Sequence, residues 1–169
     1  SCGATYEKGM ELYHEGEYEE AVAIFQSLAE KGDSCSQKVL VLCLDQLRRY
    51  EEALKWMLPL CEKKEVDMLF LAGLYYHKGY GTKVDEEKAT QYYYQAALYG
   101  NVDALLQAGN CFNQKKEYDK ARRLYKLAAE RKGDGFSCYI YGHYLVYGIG
   151  GAVDKAVSYT HLTLPTTER

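Results

Sequence analysis

The side chains with the most obvious chemical capacity are six cysteines, Cys2, Cys35, Cys43, Cys61, Cys111 and Cys138, and the histidines His14, His77 and His143. An even cysteine count invites a disulfide framework. Histidines with thiols nearby invite a zinc site, whose ligands must converge at about 2 Å from the metal. Two lone G-x-G pairs, Gly79-x-Gly81 and Gly148-x-Gly150, invite comparison with phosphate-cradling loops. Whether any of these groups can meet depends on the elements that carry them.

Those elements repeat. The alanines of recurring Glu/Lys-Ala pairs or their equivalents stand at Ala21, Ala53, Ala89, Ala121 and Ala156, in steps of 32, 36, 32 and 35 residues. A second series, Gly9, Val41, Gly73, Gly109 and Gly142, steps by 32, 32, 36 and 33. Large residues follow the second series by three: Leu12, Leu44, Tyr76, Phe112 and Leu145. Four after the alanines come Phe25, Met57, Tyr93 and Tyr125, and four further on the small Ala29, Cys61, Ala97 and Ala129. This is helical spacing on one face, repeated with a period typical of stacked helix hairpins. A glycine held at one helical register, despite a propensity cost of about 1 kcal/mol, points to close helix contact. The spacing predicts A helices over 4–14, 36–48, 67–78, 102–114 and 136–147. It predicts B helices over 18–31, 51–63, 85–99 and 117–131, with a fifth starting near Ala152. Pro59 falls inside the second B helix and predicts a kink or a break.

The repeat disposes of most of the chemistry. Cys43 and Cys111 share a register two repeats apart, about 20 Å at a helix spacing of 8–10 Å, whereas a disulfide needs Cα atoms within about 7 Å. Only Cys35 and Cys61, at adjacent ends of one hairpin, are expected within reach of each other. The thiols are expected to be reduced and buried at small positions, which favours a reducing compartment. Histidines in successive repeats stand too far apart for a metal site. No P-loop, dinucleotide fingerprint or nucleophile elbow occurs. The G-x-G pairs are expected to be turns between helices. No catalytic residue, metal or cofactor is expected, and the chain is expected not to be an enzyme.

The third unit reads Ala72-Gly73-Leu74-Tyr75-Tyr76-His77-Lys78-Gly79-Tyr80-Gly81, then Val84-Asp85, Lys88-Ala89, Tyr92-Tyr93, Ala96-Ala97 and Gly100-Asn101. It resembles the Sel-one-like repeat (SLR), a subclass of tetratricopeptide-type repeats. The fifth unit resembles it through Tyr141-Gly142, Gly148-Ile149-Gly150, Val153-Asp154 and Lys155-Ala156. The first, second and fourth units are closer to ordinary tetratricopeptide repeats. Tyr18-Glu19-Glu20-Ala21, Tyr50-Glu51-Glu52-Ala53 and Tyr118-Asp119-Lys120-Ala121 open their B helices. The resemblance spans residues 4–156, in units of roughly 4–34, 35–65, 66–101, 102–134 and an incomplete 135–156.

The resemblance implies an all-α, right-handed α-solenoid of about five helix-hairpin repeats, with the A helices lining a concave face. It implies a protein–protein interaction scaffold or adaptor that binds a peptide or protein segment in that groove. The alternative is a helical repeat domain of a larger enzyme, or a cell-envelope hydrolase-like SLR protein. In this repeat class the positions three before and one, four and five after the recurring glycine face the groove. These are Phe70, Leu74, His77 and Lys78 in the third unit, and Leu106, Asn110, Asn113 and Gln114 in the fourth. The fifth supplies Tyr139, His143, Val146 and Tyr147. Tyr6, Met10, Tyr13 and His14 are the equivalents in the first unit, and Lys38, Leu42, Asp45 and Gln46 in the second. The mixture of aromatic, amide and imidazole groups suits an extended or helical peptide. The Lys–Asn carboxylate clamp of chaperone-binding relatives is incomplete, because Leu42 stands where the asparagine would be.

A net charge of −3, from 21 basic and 24 acidic residues, gives no basic excess for nucleic acid. The longest uncharged apolar run, 39–44, is far too short to span a bilayer. The expected partner is another protein or peptide, and the expected location cytoplasmic, with a bacterial periplasmic or lipoprotein form, anchored at Cys2, as the alternative. A monomer is expected, although the incomplete C-terminal repeat offers a place for self-association. Residues 157–169 break the pattern with β-branched residues and Pro165 where an aromatic pair should follow. Val157-Ser158-Tyr159-Thr160-His161-Leu162-Thr163-Leu164-Pro165-Thr166 resembles, residue for residue, the translation of a transposase-adapter sequence used in DNA-library preparation. This predicts a metagenomic read that ran into adapter, and a natural protein that continues with further repeats.

Overall fold

The computed structural model describes residues 2–156; the adapter-like tail and most of the expected fifth B helix lie outside them. The described residues form nine α-helices and no strand: α1 (Cys2–His14), α2 (Tyr18–Glu30), α3 (Ser34–Gln46), α4 (Tyr50–Glu62), α5 (Val66–Lys78), α6 (Glu86–Leu98), α7 (Val102–Gln114), α8 (Tyr118–Lys132) and α9 (Gly135–Tyr147). Each bound falls within two residues of its sequence-based expectation. Helix α4 runs as one element through Pro59, so the expected break does not occur. Proline near the end of a helix removes one late backbone bond, and packing of Met57, Leu60 and Cys61 on either side of it holds the last turn in place.

The chain divides into two compact units, one ending at Asp85 and the other beginning at Glu86. In the first, α1 to α5 follow one another through three-residue turns, and each helix packs on the one before it. The core runs along Phe25, Leu40, Val41, Leu44, Met57, Leu60, Met68 and Leu69, all essentially without solvent exposure. In the second, Tyr93, Leu105, Leu124 and Tyr125 form the core with small residues between them, Ala89, Ala96, Ala104, Ala108, Ala121 and Ala128. This alternation of large and small lets helices interlock at close range.

The recurring glycine does what its register implied. A Cβ on Gly9 would lie 2.8 Å from the Phe25 ring, and one on Gly109 would lie 2.7 Å from the Tyr125 ring. Where Val41 replaces the glycine, the facing B-helix position carries the flexible Met57, and both side chains are fully buried. The B-helix counterpart of Gly142 would be Thr160, outside the described residues.

Helix starts are fixed by short polar side chains. Asp33, Asn101 and Asp134 accept from the backbone N–H of Ser36, Ala104 and Ser137 at 2.8, 3.0 and 2.8 Å, the usual capping arrangement. The G-x-G turns close α5 and α9. Gly81, at φ 68°, lies so close to the start of α4 that a Cβ would be 2.6 Å from the Tyr50 carbonyl carbon. Tyr80 in the same turn stacks on the Tyr50 ring at 4.3 Å. Gly150, at φ 70°, repeats the approach against Tyr118, and Arg122 holds that loop by donating to the Ala152 carbonyl at 2.8 Å.

Candidate functional site

Helix α9 carries the most exposed set of the expected groove residues. Tyr139, His143 and Tyr147 recur every four residues, so they stand in one row. The His143 ring lies 6.4 Å from Tyr139 and 4.7 Å from Tyr147, centre to centre. Tyr139 is 42% and Tyr147 59% exposed, with His143 half-buried between them. The row suits stacking on, or hydrogen bonding to, an extended chain. Val146, named with them, is buried at 7% and packs inward.

On α7, in the same unit, the amides have intramolecular work. Asn110 accepts a 2.6 Å hydrogen bond from the Tyr125 hydroxyl, and Asn113 accepts one from the Tyr144 hydroxyl. Each amide keeps its N–H groups for other partners. Gln114 is exposed. Leu106 is 7% exposed and offers almost no surface. It lies three residues before Gly109, on the side of α7 that closes over the core.

In the compact unit that ends at Asp85, Phe70, Leu74 and His77 on α5 are half-buried, and Lys78 is exposed. On α3, Lys38 is paired with Glu65 at 3.2 Å, Asp45 accepts from the Tyr75 hydroxyl at 2.6 Å, Leu42 is half-buried and Gln46 exposed. On α1, Tyr6, Met10 and Tyr13 are half-buried and His14 is exposed beside Tyr13.

Cys35, Cys43, Cys61, Cys111 and Cys138 are free thiols. Cys43, Cys61 and Cys111 are buried as expected, but Cys35 and Cys138 are exposed, because they sit in the first turns of α3 and α9, off the packed face. Burial pushes the Cys43 thiol up to about 11 and the Cys61 thiol up to about 12, where they are protonated and unreactive at neutral pH. Cys111 is raised by the same cause, partly offset by a hydrogen bond with Thr90. Among the described residues no group of three His, Cys, Asp or Glu could hold a metal ion, and no helix is long and apolar enough to cross a membrane.

One surface feature escaped sequence reasoning. A cleft of about 390 Å³ opens between α6 and α8, lined by Tyr94, Phe112, Lys120, Arg123, Leu124 and Leu127. Its signal was present: Tyr94 directly follows the core residue Tyr93, and residues 118–132 hold six basic side chains against two acidic in a chain that is acidic overall.

These features define an SLR-type α-solenoid. No protein-family model matches the sequence, and neither does any curated protein. Among the solved structures that share the fold are two SLR proteins. One is a protective antigen present in uropathogenic Escherichia coli strains, displaying an SLR fold, with TM-score 0.79 and 23% identity over 94% of this chain and 36% of that one. The other is a Sel1 repeat protein from Oxalobacter formigenes, with TM-score 0.78 and 24% identity over 99% of this chain and 75% of that one. The chain therefore spans little more than a third of the first structure's length and three quarters of the second's.

Proposed function

We propose that this chain is a protein-interaction module that binds a peptide or protein segment on its A-helix face. The Tyr139–His143–Tyr147 row of α9 is the main anchor, and the neighbouring α7 supplies amides. The row is the observation that carries the proposal: three rings in register, two of them well exposed, on a helix whose other side is buried. Large aromatic side chains at low entropy cost are the usual energetic centres of such surfaces. The Asn110 and Asn113 N–H groups, oriented by the tyrosine hydroxyls that occupy their oxygens, are suited to donate to a bound backbone's carbonyls. SLR-type folds commonly act this way.

Affinity capture with this chain as bait, followed by the Tyr139→Ala/His143→Ala double variant, tests the proposal. A captured protein that binds wild type and loses about tenfold or more in affinity to the folded variant is the expected result. Equal binding by wild type and the folded variant would move the partner to the B-helix surface or the loops.

A further inference from the structure

The α6–α8 cleft is lined by the B helices α6 and α8 together with Phe112 of α7, shares no lining residue with the α9 row, and has its own chemistry. Its floor is apolar: Phe112 meets Tyr94 edge to face at 6.1 Å between centres, and Leu124 and Leu127 complete it. Tyr94 is 41% exposed, and Leu98, one turn further along α6, is 66% exposed. An apolar floor continued by exposed aromatic and leucine side chains is uncommon on a surface with no partner. The rim is cationic. Lys120 holds its ammonium 5.4 Å above the Phe112 ring, and the Arg123 side chain is 78% exposed. Their acidic neighbours are local and at the surface: Arg123 meets Asp119 at 3.6 Å, and Lys120 donates to Glu117 at 2.7 Å, each within about one helical turn. Exposed pairs of this kind contribute little and exchange readily. Lys126 and Arg131 extend the positive charge along the same helix.

We infer that this cleft docks an acidic protein segment bearing an aromatic or leucine anchor. The anchor fills the floor between Tyr94 and Leu127, and flanking Asp or Glu side chains displace Asp119 and Glu117 as partners of Arg123 and Lys120. A guanidinium fork with a planar carboxylate gives such a site direction as well as charge. The charge complementarity selects an acidic segment over a neutral or basic one, and the apolar floor selects a segment with a bulky anchor over a plain acidic tail.

The probe is a fluorescein-labelled synthetic peptide of Asp and Glu with a Trp and a Leu one helical turn apart, titrated with the chain by fluorescence anisotropy. Its counterpart carries Lys in place of every acid. The expected result is saturable binding of the acidic peptide alone, weakening with added salt. Affinity should drop about tenfold or more in Lys120→Glu/Arg123→Glu and by a smaller factor in Tyr94→Ala. The Tyr139→Ala/His143→Ala variant should bind the peptide as wild type does, which separates this site from the α9 row. All these positions are exposed or half-buried, and unchanged helical circular dichroism and melting confirm the fold. No saturable binding of the acidic peptide, equal binding of the Lys counterpart, or wild-type affinity in the folded double variant would overturn the inference. So would a sedimentation experiment showing a dimer that Lys120→Glu/Arg123→Glu abolishes, because a second copy would then be the occupant.

Discussion

The hydroxyl of Tyr75 on α5 donates a 2.6 Å hydrogen bond to the carboxylate of Asp45 on α3. Tyr75 stands two residues after the recurring glycine of its repeat, and Asp45 four after the equivalent position of the repeat before. The compact unit that begins at Glu86 builds the same bond from the same register, with Tyr144 donating to Asn113. A tyrosine buried between hairpins must find an acceptor for its hydroxyl, and an Asx side chain on the preceding A helix provides it. At the first interface in the chain the position of the tyrosine is held by Cys43, and there Tyr13 rather than Asx faces it.

Tyr75→Phe should therefore cost about 1–2 kcal/mol, at the lower side of the range for a bond to a charged acceptor, because Asp45 remains partly solvated. The ring contacts with Tyr50 and Tyr80 survive the change, so the hydroxyl alone is tested. Tyr144→Phe should cost less, about 0.5–1 kcal/mol, since its acceptor is neutral and exposed. Urea unfolding followed by circular dichroism measures both. Equal stability of Tyr75→Phe and wild type would show that the bond does not hold the two repeats together.

Helix positions were legible because the period, the alanine series and the glycine series all report the same packing. The fate of individual groove residues was less so. Asn110 and Asn113 look partner-facing in a linear pattern, yet each accepts from a tyrosine, and only pairing residues across successive repeats exposes that. Ala129 shares the register of the buried Ala97. It is half-buried, while Ala128 beside it is fully buried. The difference coincides with a change at the end of the helix: α8 runs on to Lys132 and meets α9 through a two-residue turn, where the turns between α1 and α5 have three residues.

Substitution at the small positions should follow burial rather than the alanine register. Ala97→Leu and Ala128→Leu should each cost about 1–3 kcal/mol through overpacking, with Ala129→Leu milder than either. Gly109→Ala should also destabilise, because the Tyr125 ring lies 2.7 Å from the new methyl, against a helix-propensity gain of only about 1 kcal/mol. Thermal melts rank these variants. A melt of Ala129→Leu below that of Ala128→Leu would refute the assigned faces of α8.

The loop glycines separate backbone strain from collision. Gly100 has φ 103° with open space around it, so Gly100→Ala should cost only the left-handed penalty of about 1–2 kcal/mol. Gly81→Ala adds a collision with the Tyr50 backbone, and Gly150→Ala one with the Tyr118 backbone, neither of which can move without displacing the start of a helix. Both should lose clearly more stability than Gly100→Ala, measured by denaturant midpoint. Parity among the three would mean that the G-x-G loops do not dock on the B helices.

Alkaline pH should unfold the protein through its buried thiols and phenols. Burial raises the Cys43 and Cys61 thiols from an ordinary 9.0 to about 11 and about 12. It is also the main cause of upward shifts at Tyr75, Tyr93 and Tyr125. In the unfolded chain these groups return to their ordinary values and ionise first. Above about pH 9 the unfolded state thus binds fewer protons than the folded state, and stability falls as pH rises. The stabilisation is complete below the unfolded thiol value and is lost on the way up to the folded ones. The slope should be of the order of 1 kcal/mol per pH unit for each thiol in that window, with tyrosines adding to it from about pH 10. Urea midpoints should be flat from about pH 7 to about pH 8.5 and then decline. Cys61→Ala should lower stability at neutral pH and make the alkaline decline shallower. Thiol labelling offers an independent check in a Cys2→Ser background: Cys35 and Cys138 should react at once, and Cys43, Cys61 and Cys111 only on unfolding. Fast labelling of all five in folded protein, or an alkaline decline unchanged in Cys61→Ala, would show that these thiols are not protected by the packing described.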